Sequence, residues 1–190
     1  MPSLIAIVGM AGSGKSIATD YLENKGWKKI YFGGAVYDRM RQEGIEITPD
    51  SQKEYREMLR KKYGMGAIAE ILKYDIENAY KQGNTVLDGL YSWEEYLILK
   101  EKFKDLVLIC ICCDKDIRYE RIAKRIDRPF NHDEVIKRDL TELENLNKGG
   151  PIAYADYFIN NNGDLDHYIN RLEVIINKIE EKNKNEVHDA

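Results

Sequence analysis

The segment Gly9–Ser16 reads GMAGSGKS and matches the whole pattern G-x-x-x-x-G-K-[ST]. These residue types suit the binding of a polyphosphate. Gly9, Gly12 and Gly14 let the main chain take φ > 0 and come close to oxygen atoms. With Ser13 between them, they present successive N–H groups at the positive end of a helix, which makes an anion nest. Lys15 adds a compact positive charge for β- and γ-phosphates. The Ser16 hydroxyl is a hard oxygen ligand for Mg2+. The plain alternative is a glycine-rich turn with a chance lysine. The apolar run before the loop and the helical pattern after it argue against that alternative.

A second signal is TVLDG, Thr85–Gly89. An apolar strand ending in Asp88 sets a carboxylate beside the glycine loop, where it can hold Mg2+ directly or through water. Taken alone, a strand-end aspartate before glycine serves as a turn or cap residue. A third signal is arginine density: Arg118, Arg121, Arg125, Arg128 and Arg138 follow the fourth apolar run. Arg118, Arg121 and Arg125 share one helix face. Guanidinium groups stabilise the negative charge that phosphoryl transfer spreads. Asp114, Asp116, Glu120 and Asp127 lie close enough in sequence to make the same face a solvated, salt-bridged one instead.

These residues need a scaffold that brings strand ends together. Continuous apolar runs at Ser3–Val8 and Leu106–Cys112 suit strands buried on both faces. Lys28–Phe32, Thr85–Asp88 and Tyr157–Asn160 complete five strands. Helices are expected at Ser16–Lys25, Ala35–Gln42, from Asp50 or Ser51 to near Gly64, and at Ala67–Lys81. Further helices are expected from the Asp88 strand to about Phe103, and at Lys115–Arg125, Asp133–Asn147 and Asp164–Glu181. In the last of these, Leu165, Tyr168, Ile169, Leu172, Ile175, Ile176 and Ile179 recur at helical spacing. Strands alternating with helices predict an α/β fold: a five-stranded parallel sheet with helices on both faces. Ligands in such sheets bind at the carboxyl ends of the strands, where the motifs fall.

The chain has 190 residues, 43% hydrophobic and 33% charged, which suits one folded domain. A net charge of −4 lacks the global basic field of a nonspecific nucleic-acid binder. No apolar run is long enough to cross a membrane. Cys110, Cys112 and Cys113 form an odd group on one strand, which points to a reducing cytoplasm and buried packing. Zinc would need a second Cys/His pair that the sequence lacks. His132, His167 and His188 are isolated, and solvent exposure is expected for His132.

Taken together, the glycine loop, the Asp88 strand end and the arginine cluster resemble the P-loop small-molecule kinases. That superfamily includes the nucleoside monophosphate kinases and dephospho-coenzyme A kinase. In layout the chain is similar to a mainly archaeal, adenylate-kinase-related group, through Phe32–Gly34, Lys62–Glu70, Val86–Gly89 and Ala155–Asn160. The resemblance implies a three-layer P-loop NTPase fold with its core at 1–32, 83–125 and 139–182. It also implies a helical acceptor-binding insert at 33–82, a short lid at 125–138 and a frayed tail at 183–190. ATP and Mg2+ are the implied cofactors, and a small nucleotide-like molecule the implied acceptor. Arg121 resembles the arginine that lies against the donor adenine, and Arg125 one that contacts transferred phosphate. Arg128 and Arg138 resemble a lid pair that closes on the phosphates.

On the acceptor side the sequence departs from both relatives. Monophosphate kinases carry an arginine where this chain has Tyr37, with Arg39 and Arg41 nearby, and another after the D-G strand end. Here that strand end runs DGLYS. Dephospho-coenzyme A kinases have an aspartate after the second strand; here Gly33 and Gly34 stand there, and Asp38 follows a turn later. Gly34, Tyr37, Asp38, Arg39 and Tyr91 are therefore the acceptor-side candidates. Asp38 and Asp88 are the candidates to contact an acceptor hydroxyl. The rival expectation is an ATPase acting as a nucleotide-dependent switch with a protein or RNA partner; without an N-K-x-D motif, a guanine-specific switch is disfavoured.

Overall fold

The structure, a computed structural model, describes residues 1–126 and 130–188. Strands β1 (Leu4–Val8), β2 (Lys28–Tyr31), β3 (Thr85–Asp88), β4 (Val107–Cys112) and β5 (Tyr157–Asn160) form one sheet in the order β2-β3-β1-β4-β5. Every pairing is parallel. The connecting helices are α1 (Lys15–Asn24), α2 (Phe32–Gln42), α3 (Pro49–Tyr63), α4 (Ala67–Gln82) and α5 (Trp93–Lys102). After β4 come α6 (Lys115–Ala123), α7 (His132–Glu144) and the short α8 (Gly149–Ala153), and α9 (Leu165–His188) follows β5. The expected α/β fold is the one the chain adopts.

The strands sort their side chains by alternation. Leu4, Ala6 and Val8 of β1 join the cluster beneath α2, α3, α4 and α5, with Leu87, Leu108 and Cys110. Ile5 and Ile7 face the other way, toward α1 and α9, with Val86, Ile109 and Ile111. All five β1 residues are buried. Each buried Leu or Ile side chain contributes ~1.5–3 kcal/mol. The central strand therefore anchors both layers and fixes where its carboxyl end opens. β1 lies between β3 and β4, so the chain leaves it at the point where the strand order reverses, the crevice where open α/β sheets bind ligands.

Three helix starts are closed by reciprocal capping boxes: Thr48 with Ser51 on α3, Ser92 with Glu95 on α5, and Asn131 with Glu134 on α7. The start of α1 differs. Its N-cap is Gly14, in a left-handed conformation, with no side-chain cap and no acidic residue in the first turn. Ile17 N–H donates to the Gly14 carbonyl at 3.2 Å, which leaves those of Lys15 and Ser16 for an outside acceptor.

Four boundaries depart from the sequence pattern. Helix α2 begins at Phe32, directly after β2, so Gly33 and Gly34 lie in its first turn. A Cβ on Gly33 would run into the Tyr31 ring. Thr48, with Pro49 at the first helical position, starts α3, ahead of Asp50 and Ser51. Helix α7 ends at Glu144, short of Asn147; Asn147 takes φ 50, and α8 follows as a separate element the sequence pattern did not show. Finally, α9 stays helical to His188, past the expected end at Glu181 and through most of the segment expected to fray.

Candidate active site

The glycine loop joins β1 to α1. Gly9, Gly12 and Gly14 have φ of 141, 80 and 100°, in the region that favours glycine. A Cβ on Gly9 would come within 2.5 Å of the Ile111 carbonyl oxygen, and one on Gly14 would strike the Asn161 side chain. The loop carbonyls are held by outside donors. The Arg118 Nη1 donates to the Ala11 carbonyl at 2.8 Å, Asn161 Nδ2 to the Ser13 carbonyl at 2.8 Å, and the Tyr168 hydroxyl to the Gly14 carbonyl at 3.0 Å. Arg118 is itself buried and forked onto the Asp139 carboxylate at 2.6 and 3.2 Å. Elements α6, α7, β5 and α9 thus brace one loop. Ser13 is buried, and its hydroxyl has no partner among the described residues.

Lys15 folds back to donate to the Met10 carbonyl at 3.0 Å. Burial and the nearby Lys148 charge pull its ammonium down to about 7, against the attraction of Glu142 and Asp88. Asp88, at the end of β3, accepts from the Thr19 hydroxyl at 3.4 Å. Burial raises its carboxyl above the usual range, opposed by Lys29 and Lys15. Ser16 and Asp88 line one cavity, with Asp20 and Lys29 on its wall. A hydroxyl and a carboxylate are hard oxygen donors, which suits Mg2+, a cation usually held by one or two carboxylates plus phosphate and water. Among the described residues no group of three or more His, Cys, Asp and Glu could hold a metal by itself, and no helix is long and apolar enough to cross a membrane. The three cysteines are free, and Cys110 lies in the core.

On the other side of Lys15 stands a group of charges built by α7 and the turn before α8. Glu142 accepts from Arg138 Nε at 3.1 Å and from Lys148 Nζ at 2.6 Å. Lys148 is 2% exposed, and its ammonium lies 4.7 Å from the centre of the Tyr91 ring. Burial presses the Lys148 ammonium below its usual value, and Glu142 counters this. Burial acts on Glu142 in the opposite sense, yet Lys148 and Arg138 hold its carboxyl below the usual range. The sequence offered no motif for Lys148. It reaches this position because α7 stops early and Asn147 turns the chain inward.

Arg138, Glu142, Tyr37 and Tyr91 line a cavity of about 210 Å3 between the loop region and helices α2 and α3. Burial lifts the Tyr91 hydroxyl to about 12, so it stays a neutral donor. Gly33 lines this cavity and Gly34 does not. Arg39 is also absent from its wall. Asp38 points away, two-thirds exposed, and pairs with Arg41 at 2.8 Å. Gln52, Arg56 and Arg60 of α3 complete the wall. They lie four residues apart, on one helix face. That spacing was visible in the sequence, but nothing there showed that the face turned inward.

Arg121 donates to the Cys113 Sγ at 3.3 Å, at the carboxyl end of β4. Arg125 is exposed and within electrostatic reach of Arg138 and Glu142. Arg128 lies outside the described residues. His132 is exposed, 5.5 Å from the Tyr119 ring.

Comparisons with known proteins agree with this architecture. A family model described as an AAA domain matches residues 5–144. A UPF0200 protein of Staphylothermus marinus is 33% identical over 190 residues, covering 98% of each chain. A UPF0200 protein of Methanocaldococcus jannaschii is 33% identical over 179 residues, 93% of this chain and 90% of its own. Among solved structures, a gluconokinase from Sinorhizobium meliloti superposes with a TM-score of 0.58 at 19% identity, covering 100% of this chain and 98% of its own. A shikimate kinase from Bacteroides thetaiotaomicron gives 0.61 at 13% identity, with 95% and 99% covered. At these identities the structural likeness concerns the fold. The chain has a P-loop kinase-like fold and belongs to the AAA-domain family and to the UPF0200 proteins.

Proposed function

We propose that this chain is an ATP- and Mg2+-dependent phosphotransferase that moves the γ-phosphate to a small nucleotide-like acceptor. One observation carries the reading. The cavity bounded by Tyr37 and Tyr91 shares Arg138 and Glu142 with the charge cluster beside Lys15. A donor loop and a second binding space thus meet at one set of cations, which a transfer reaction requires and simple hydrolysis does not.

In this reading the triphosphate lies on the uncapped start of α1, and Lys15 leaves the Met10 carbonyl for its oxygens. Gly9, Gly12, Ser13 and Gly14 supply main-chain contacts, and Arg121 flanks the adenine. Ser16 and Asp88 would hold Mg2+, which when bound neutralises phosphate charge. Arg138 and Lys148 face the migrating group from the acceptor side, joined by Arg125; the role expected of Arg128 rests on the resemblance alone. An acceptor oxygen attacks the γ-phosphorus as the bond to the bridging oxygen breaks, and ADP leaves. Positioning and charge neutralisation do most of the catalysis. A lid formed by the described part of the segment 125–138, which runs into the start of α7, would exclude water from the transfer.

The test uses ATP labelled at the γ-phosphate with Mg2+ and a panel of nucleoside monophosphates, nucleosides and dephospho-coenzyme A. Stoichiometric appearance of label in one acceptor is expected. Release of inorganic phosphate alone, at a rate no acceptor alters, would replace this reading with the ATPase switch.

A further inference from the structure

The cavity behind Tyr91 carries more positive charge than the protein neutralises. Arg56, Arg60 and Arg138 all reach its wall. Its carboxylate, Glu142, is already shared between Arg138 and Lys148. Among the described residues neither Arg56 nor Arg60 forms an ion pair. The Arg60 Nε is buried and has no hydrogen-bond partner. The charge that acts most on it is Glu95, whose carboxylate accepts from the Tyr91 and Ser92 amides and bonds no arginine. A buried charged donor left unmade is costly, so the Arg60 guanidinium is open to an acceptor from outside.

The same helix is rigidly seated. Tyr55 and Leu59 of α3 are buried in the core, and the Tyr55 hydroxyl donates to Glu43 at 2.6 Å. Gln52, Arg56 and Arg60 occupy the neighbouring stripe and project from a fixed support. Opposite them the wall is aromatic: Tyr31 and Tyr37 meet edge to face, 6.1 Å apart, and Tyr91 closes the side nearest Lys148.

We propose that Gln52, Arg56 and Arg60 form an anion subsite on α3 that takes the phosphate monoester of a nucleoside monophosphate, whose base lies among Tyr31, Tyr37 and Tyr91. The inference rests on the phosphotransferase reading and deepens it by fixing the acceptor class. Two guanidinium forks on one helix face match a dianionic phosphate in charge and geometry better than a monoanionic carboxylate. The subsite also supplies the acceptor arginines that Tyr37 and Leu90 do not.

The test measures binding by calorimetry without ATP, for AMP, GMP, CMP and UMP, each against its own nucleoside. Wild type, Arg56→Gln and Arg60→Gln are compared, with thermal melts to verify folding. One monophosphate is expected to bind ~100-fold more tightly than its nucleoside. Each substitution should shrink that ratio by about tenfold or more while nucleoside affinity stays constant. Should Arg60→Gln fail to fold, the less enclosed Arg56→Gln gives the decision. Monophosphate and nucleoside binding alike, or a ratio untouched by the substitutions, would overturn the subsite. A fluorescent ATP analogue is titrated into the same three proteins. Failure of the wild type to bind it would sink the phosphotransferase reading and leave the subsite result standing. Normal analogue binding with an unchanged ratio would do the reverse.

Discussion

Raising the pH should weaken nucleotide binding through one side chain, Lys15. In the free chain its ammonium titrates near 7 in place of 10.5, because burial and Lys148 disfavour the charge. Glu142, Asp88 and Arg138 also face it and set the balance. A bound triphosphate returns a dense negative charge to the ammonium and restores its proton. At pH 8 the free protein would hold Lys15 ~90% neutral, so binding takes up ~0.9 proton. Affinity should then fall about tenfold, or ~1.4 kcal/mol, for each pH unit above 7. The assay is calorimetric titration of ATP at pH 8 in buffers of differing ionisation enthalpy, whose slope gives the protons exchanged. Lys15→Met should abolish the uptake. Lys148→Met, by removing the like charge, should reduce it. An uptake below ~0.2 proton in wild type, with ATP still bound, would refute the reasoning.

The same shift acts on stability. Between pH 7 and 10.5 the unfolded chain holds a proton on Lys15 that the folded chain has lost, so stability rises with pH across that window and the charge is a burden at pH 7. Lys15→Met should therefore stabilise the ligand-free protein at pH 7 by ~1–3 kcal/mol once solvent at this partly open side chain is allowed for, a rise in Tm of several degrees. Asp139→Asn strips the partner from the buried Arg118 fork and should cost ~3–5 kcal/mol, read as a fall in denaturation midpoint. Asp88→Asn should raise the Mg2+ needed for half-maximal turnover at least about tenfold while ATP binding without metal changes little.

The glycine loop and the sheet were legible because both are written in local chemistry. GMAGSGKS specifies a backbone path, and Leu4–Val8 can only be a strand buried on both faces. Asp88 was legible because a strand end fixes its place. The proposed acceptor side was not, for reasons that can be named. Starting α2 at Phe32 leaves Asp38 outward, bonded to Arg41, while Tyr37 turns inward. Lys148 enters the site through a left-handed Asn147 and a short helix that no periodicity marks. Arg118 looked like its neighbours Arg121 and Arg125 on one helix face, yet it is buried as a brace for the loop. Asn161, just past β5, supports Ser13, a contact 148 residues distant in sequence. Spacing gives a helix face; only packing says which face meets the cavity.

The central claim is that main-chain amides between β1 and α1 hold a triphosphate. Nitrogen–proton NMR of the labelled protein, titrated with ATP and Mg2+, reads those amides directly. The resonances of Gly12, Ser13, Gly14, Lys15 and Ser16 should move downfield together and saturate with one ATP per chain. Amides that stay in place while other regions shift, or no saturation at all, would contradict it.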